Sequence, residues 1–148
     1  MEETIEVTEQ DRKNIKKYFD EAITKYASIW GSENVENLKS VEVKLEAKLF
    51  ENKQMIGLTK SLKQGWYTWP EVIFDPIVLG LVSKKAIMSV VTHEMAHCCV
   101  FFDNMTLEED IKGGHGPHWQ AYADKLNKTG LNVQAVGDEE YNVYLFGK

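Results

Sequence analysis

Residues 83–102 read SKKAIMSVVTHEMAHCCVFF, and this stretch decides the fold. Ser83 suits an N-cap, because its hydroxyl can accept from a backbone N–H of the first turn. Beyond it Ala86, Ile87, Met88, Val90, Val91, Met95, Ala96, Cys98, Cys99, Val100 and Phe101 leave almost no polar face. A helix apolar all round lies inside its domain, so a buried helix is predicted from Lys84 to about Phe102. His93, Glu94 and His97 stand on it, and polar groups in such a place are costly unless they have a task or a partner.

His93 and His97 are four residues apart and share one helix face, so both imidazoles can reach one ion. Glu94 is turned about 100° from His93, beside that ion without being its ligand, a position that suits a general base acting on water. A catalytic zinc normally keeps three protein ligands and one open position. For the third ligand, Asp103 lies six residues past His97, about 240° around the axis, and faces away. Val100 stands where a helix-breaking glycine could redirect the chain. Glu108, Glu109 and Asp110 offer carboxylates, although they also read as a solvated charge run. His115, in Gly113-Gly114-His115-Gly116-Pro117-His118-Trp119, is the stronger candidate. Its flanking glycines allow close approach of the backbone, and Pro117 fixes the start of the next helix. His118 is open to several roles: a ligand, a hydrogen-bond donor to the transition state or a surface side chain.

Outward from this centre, Thr8 to about Trp30 repeats apolar residues at three- and four-residue steps and stops at Gly31, an amphipathic helix. Val41 to Leu49 alternates apolar and charged residues, the period of a half-buried strand. A weaker strand is predicted over Met55–Leu62, another over Trp66–Trp69, and a short continuation past Pro70 over Glu71–Phe74, closed by the Asp75-Pro76 turn. The middle third is thus a small antiparallel or mixed sheet between helices. A loop from Asp103 to Gly114 is a candidate lid. Gly116-Pro117 opens a last helix with Trp119, Tyr122, Ala123 and Leu126 facing inward, ended by Gly130. Tyr141–Phe146 is expected to add a strand.

The 148 residues fit one domain, with a core over about residues 10–130 and an undecided tail over 131–148. A chain of this size buries roughly two-thirds of its unfolded surface, so no structural metal or disulfide is needed for folding. Cys98 and Cys99 are neighbours pointing apart on a helix, which favours packing and a reducing cytoplasm. No stretch approaches the ~20 apolar residues of a membrane span, and the acidic N-terminus is not a signal peptide. The net charge of −6 argues against non-specific binding of nucleic acid. Lys39, Lys44, Lys48, Lys53, Lys60 and Lys63 leave room for a local basic patch, and Trp66, Tyr67 and Trp69 resemble a base-stacking platform, though solvated strand faces and core aromatics look the same.

The pair His93-Glu94-Met95-Ala96-His97 and Gly114-His115-Gly116-Pro117, followed by Trp119, resembles the SprT-like (Spartan-type) zinc metallopeptidases. The resemblance covers about residues 10–130. It implies an α+β, zincin-like metallopeptidase domain: a small antiparallel or mixed sheet flanked by helices, one of them the buried helix of the HExxH motif. It further implies Zn2+ held by His93, His97 and His115, with Glu94 as the catalytic base. The family's best-known task is digestion of proteins trapped on DNA. Two departures stand out: His118 occupies a position where relatives often carry Glu, and no cysteine follows Cys99 to build the family's zinc ribbon.

The expected activity is therefore zinc-dependent endopeptidase hydrolysis of a protein or peptide, by a zinc-bound water that Glu94 activates. The substrate is expected to lie extended along a sheet edge, with Thr68–Phe74 the candidate because Pro70 suits an edge strand. His118, Tyr122 and Tyr67 are candidates to stabilise the oxyanion. The alternative is a catalytically silent zinc-binding interaction module. Glu94 argues against it, and a fourth protein ligand such as His118 would argue for it. A metal-dependent nuclease is a third reading, weakened by the poor placement of Asp103 and Asp110.

Overall fold

Thr8 opens the first helix. Its hydroxyl accepts from the Asp11 N–H at 3.0 Å while the Asp11 carboxylate accepts from the Thr8 N–H at 3.2 Å, which satisfies two otherwise orphaned donors. Helix α1 (Glu9–Lys25) buries Ile15, Phe19, Ala22 and Ile23. The single helix expected to reach Trp30 breaks at Tyr26, and a one-turn α2 (Ala27–Trp30) follows. The Trp30 indole N–H folds back onto the Ala22 carbonyl at 3.2 Å, giving a buried donor its partner. Gly31, at φ +91°, then turns the chain into α3 (Ser32–Leu38), which the sequence pattern did not announce. The computed structural model describes residues 7–53, 55–65, 67–104, 115–135 and 139–147.

Strand β1 (Glu42–Leu45) is shorter than its alternating pattern suggested. Lys48 adopts φ +66°, and the chain reverses into α4 (Leu49–Lys53), which carries Leu49 into the core. The Phe50 N–H is pinned to the Asp75 carboxylate at 2.8 Å, and the same carboxylate accepts from the Ile77 N–H, capping a short 3-10 helix (Pro76–Gly80). Strands β2 (Gly57–Gln64) and β3 (Tyr67–Phe74) pair antiparallel, and β1 pairs parallel with β3. The three-stranded mixed sheet therefore runs β1-β3-β2.

This order corrects one expectation. Thr68–Phe74 lies in the central strand, not at an edge. Pro70 is tolerated because β1 reaches only Glu71–Phe74. On that side β3 is still an edge where Pro70 stands, so the missing N–H costs no ladder bond there.

Helix α5 (Lys84–Asn104) is the buried helix, with the Ala86 N–H donated to the Ser83 hydroxyl at 3.1 Å. From Ala86 to Phe101 every residue is buried except His93 and His97. Ser89 and Thr92, buried and polar, bond back to the carbonyls of Lys85 and Met88. Helix α6 (Pro117–Asn127) packs on α5 through Trp119, Tyr122, Ala123 and Leu126. The expected strand at Tyr141–Phe146 is instead a helix, α7 (Glu139–Phe146). Tyr, Val and Phe favour strands locally. Tyr141 and Leu145, four apart, are nevertheless buried on one face, and Tyr144 reaches the Ser89 hydroxyl at 3.1 Å. Tertiary packing overrides local preference. The architecture is mixed α+β, as expected.

Candidate metal centre

Helix α5 presents His93 and His97 to the same side, one turn apart, and the backbone at Gly116 and Pro117 delivers His115 onto them from the mouth of α6. The Nε2 of His115 lies 3.1 Å from that of His93 and 3.2 Å from that of His97. Ligand nitrogens around a tetrahedral zinc at about 2.0–2.1 Å stand about 3.3 Å apart, so the three rings are spaced to share one ion. A set of three imidazoles is also the chemistry that suits zinc and related divalent metals.

The electrostatics agree. Burial, then the charges of His97 and His115, drive the His93 pKa well below the ordinary value, against a hydrogen bond donated to the Gln134 backbone that favours protonation. Burial and His115 lower that of His97 to about 3, and burial lowers that of His115. All three are therefore neutral at pH 7, the state a metal ligand must have.

Trp119 fixes the rings. Its indole is fully buried, donates to the His93 carbonyl at 3.2 Å and stacks on His97 at 26° between planes. His93 and His115 pack against it with centroids 4.8 and 4.6 Å away. The sequence marked Trp119 as an inward-facing aromatic and as the residue closing the second motif; its contact with all three imidazoles is a tertiary fact.

Glu94 sits beside the cluster, its Oε2 3.8 Å from His93 Nε2. It is 5% exposed, and burial pushes its pKa up to about 7, while a 2.8 Å bond from the Thr59 hydroxyl to Oε1 works the other way. Gly57, two residues before Thr59 on β2, closes over the same side chain. A Cβ built there would meet Glu94 Cγ and Oε2 at 3.0 Å and Phe74 Cδ1 at 3.1 Å. Neither Gly57 nor Thr59 was singled out from sequence. The available signal was a glycine within a strand pattern, which often marks close approach of another group.

The remaining candidates go elsewhere. His118 Nε2 bonds the Asp103 carboxylate at 2.7 Å, and that carboxylate also accepts from Tyr122 and Asn34. Burial opposes ionisation of Asp103, but these donors together hold its pKa below the ordinary value. Among the described residues, the only acidic, thiol or imidazole groups that converge for a metal are His93, His97 and His115. The Tyr122 hydroxyl is committed to Asp103. Glu108, Glu109, Asp110 and the lid expected over the loop to Gly114 lie outside the described residues, as do Trp66 and the Tyr67 and Lys63 side chains. The Trp69 indole donates to the Ser40 carbonyl, and its rings meet Phe101 and Phe102. Lys39 is paired with Glu36, and Lys44 with Glu42 and Glu71. Cys98 is buried, its thiol pKa raised by burial and by Glu94, and it acts as packing.

A buried helix bearing two of three converging imidazoles, laid against a small mixed sheet, defines a zincin-type domain with a candidate metal centre. The model of the SprT-like family matches residues 11–138, most of the chain, and the chain belongs to that family. No curated protein and no solved structure matches it. Membership is compatible with a metallopeptidase. No helix among the described residues is long and apolar enough to cross a membrane.

Proposed function

We propose that the protein is a zinc-dependent endopeptidase in which His93, His97 and His115 hold the metal and Glu94 is the base. One observation carries this reading: a carboxylate pressed between Gly57 and Thr59 and set 3.8 Å from an imidazole of the triad. A purely structural metal site has no use for such a group. His118, the residue that could have closed the fourth position, is bonded to Asp103 instead, which supports an open site and weighs against a silent binding module.

Zinc, when bound, supplies Lewis acidity to a water and to the scissile carbonyl. The chain supplies the rest. Thr59 holds Oε1 of Glu94, which leaves Oε2, the oxygen facing His93, to take the proton of the attacking water and pass it to the departing amine. The substrate lies extended along β2 rather than β3, because β2 is an edge strand of the described sheet and carries both residues that touch Glu94. Proteins held on DNA are the substrate class that the family likeness implies. The free thiols of Cys98 and Cys99 fit a reducing cytoplasm.

The test is cleavage of casein and of unstructured peptides by the zinc-loaded chain against its Glu94→Gln variant. Loss of cleavage with zinc still bound is expected. Equal cleavage by the variant would remove Glu94 from its role.

A further inference from the structure

A cavity of about 280 Å³ opens directly beside the triad, with His93, Glu94 and His115 in its wall. That volume is at the low end of small-molecule clefts, on the scale of one side chain rather than a whole cofactor. Phe50, Met55, Val90, Ala135, Leu145 and Phe146 line it. Gln134 and Asn142 are its neutral polar groups, and Tyr141 adds a ring. Among the described lining residues there is no lysine or arginine, and the one carboxylate is Glu94. An acidic side chain entering here would lose water without gaining a cationic partner, and the one carboxylate a basic side chain could meet is already bonded to Thr59.

Two further observations point to a ligand. The described residues leave four large apolar side chains exposed, and two of them, Phe50 at 37% and Met55 at 42%, border this cavity. The far wall is α7, which lies beyond the residues matched by the family model. It is tied down where it stands, by Tyr144 on Ser89 and by the Val82 N–H donated to the Leu145 carbonyl at 2.9 Å. A helix built onto the common domain thus completes an apolar wall at the candidate metal centre.

We infer that this cavity is the specificity pocket of the enzyme, taking one bulky apolar side chain (leucine, methionine or phenylalanine) of the residue that flanks the scissile bond. The inference rests on the peptidase reading above. An extended peptide on β2 points alternate side chains to opposite faces, so as it passes Gly57 one of them enters the space between Glu94 and α7. Apolar pockets of this kind discriminate by about 10- to 200-fold per methylene, which sets the size of the effect to look for.

The experiment uses the full zinc-loaded chain and peptides identical but for one residue, with the cut mapped by mass spectrometry. Cuts are expected with Leu, Met or Phe on one fixed side, at least tenfold faster than with Asp, Lys or Gly. Ala135→Phe, which fills the cavity, should lower the Phe-to-Ala rate ratio at least tenfold. Asn142→Lys, at an exposed position on α7, should raise the rate for Asp relative to Leu and needs no repacking. A readout without catalysis is the methyl NMR signals of Val90 and Leu145 in metal-free protein, which N-acetylphenylalaninamide should move and N-acetyllysinamide should not. Cleavage indifferent to the flanking residue, or ratios unchanged in both variants, overturns the pocket and leaves the peptidase standing. Methyl shifts without cleavage of any peptide remove the peptidase and keep the cavity's ligand class. Neither shifts nor cleavage removes both.

Discussion

The α-carbon of Gly57 faces the side chain of Glu94 so closely that a methyl group added to it would sit 3.0 Å from both Cγ and Oε2. Nine in ten real Cβ contacts are longer, so the strand or the carboxylate must give by a few tenths of an ångström. Gly57→Ala is therefore expected to cost about 1–3 kcal/mol of stability through overpacking and to lower peptide cleavage at least tenfold. Thermal melts and casein assays on the zinc-loaded variant check both. Unchanged activity would mean that the carboxylate has room the contact denies it.

Thr59 is expected to be a positioning residue for the base. Thr59→Val keeps the shape but strips the donor from Oε1 of a buried carboxylate, a loss of about 1–3 kcal/mol. Cleavage should fall about tenfold, and Thr59→Ser should restore most of it. Failure of serine to rescue would point to packing by the methyl group instead.

Trp119→Phe keeps an aromatic ring under the three imidazoles but removes the indole N–H that grips the His93 carbonyl. Groups that orient metal ligands commonly carry about 10- to 100-fold in affinity, and a weakening near the lower figure is expected in competition with a zinc chelator. Trp119→Ala should cost about 3–5 kcal/mol, since it opens a cavity in the core.

His115 and His118 should separate cleanly. His115→Ala is expected to lose zinc that the wild type retains at one ion per chain, whereas His118→Ala should bind it with unchanged stoichiometry. Metal analysis after dialysis decides the matter; zinc lost from the His118 variant would reinstate that residue as a ligand.

Metal-free protein should be sensitive to mild acid. The unfolded chain protonates its histidines near 6.5, whereas in the folded chain His97 does so only at about 3 and His93 well below the ordinary value. The folded state thus binds fewer protons. Stability falls as pH drops below about 6.5, by up to about 1.4 kcal/mol per pH unit for each such histidine, and the loss continues toward the folded value. Melting temperatures from pH 8 to 4 should show this slope, and His97→Leu should flatten it.

Much of the centre was legible because it is written in short-range order. Four residues make one helical turn, so His93 and His97 had to share a face, and Glu94 had to stand beside them. The glycines around His115 and the proline after it fixed a local geometry that needed no knowledge of the rest. The misreadings came where distant partners decide. Tyr141–Phe146 has strand-forming residues, and only the surface of α5 makes it a helix. Pro70 signalled an edge, and only the short reach of β1 lets a central strand keep it.

By itself, then, the chain's order of residues determined the buried helix, its Ser83 N-cap, the two imidazoles of one turn and the family to which they belong. These depend on dihedral angles and side-chain periodicity, which neighbours in sequence control. The tertiary structure alone decided that His118 turns to Asp103, that Trp119 grips the His93 carbonyl, and that Gly57 and Thr59 hold Glu94. Each of these joins residues at least 15 positions apart, and such contacts are settled by the packing of whole elements, which no local pattern records.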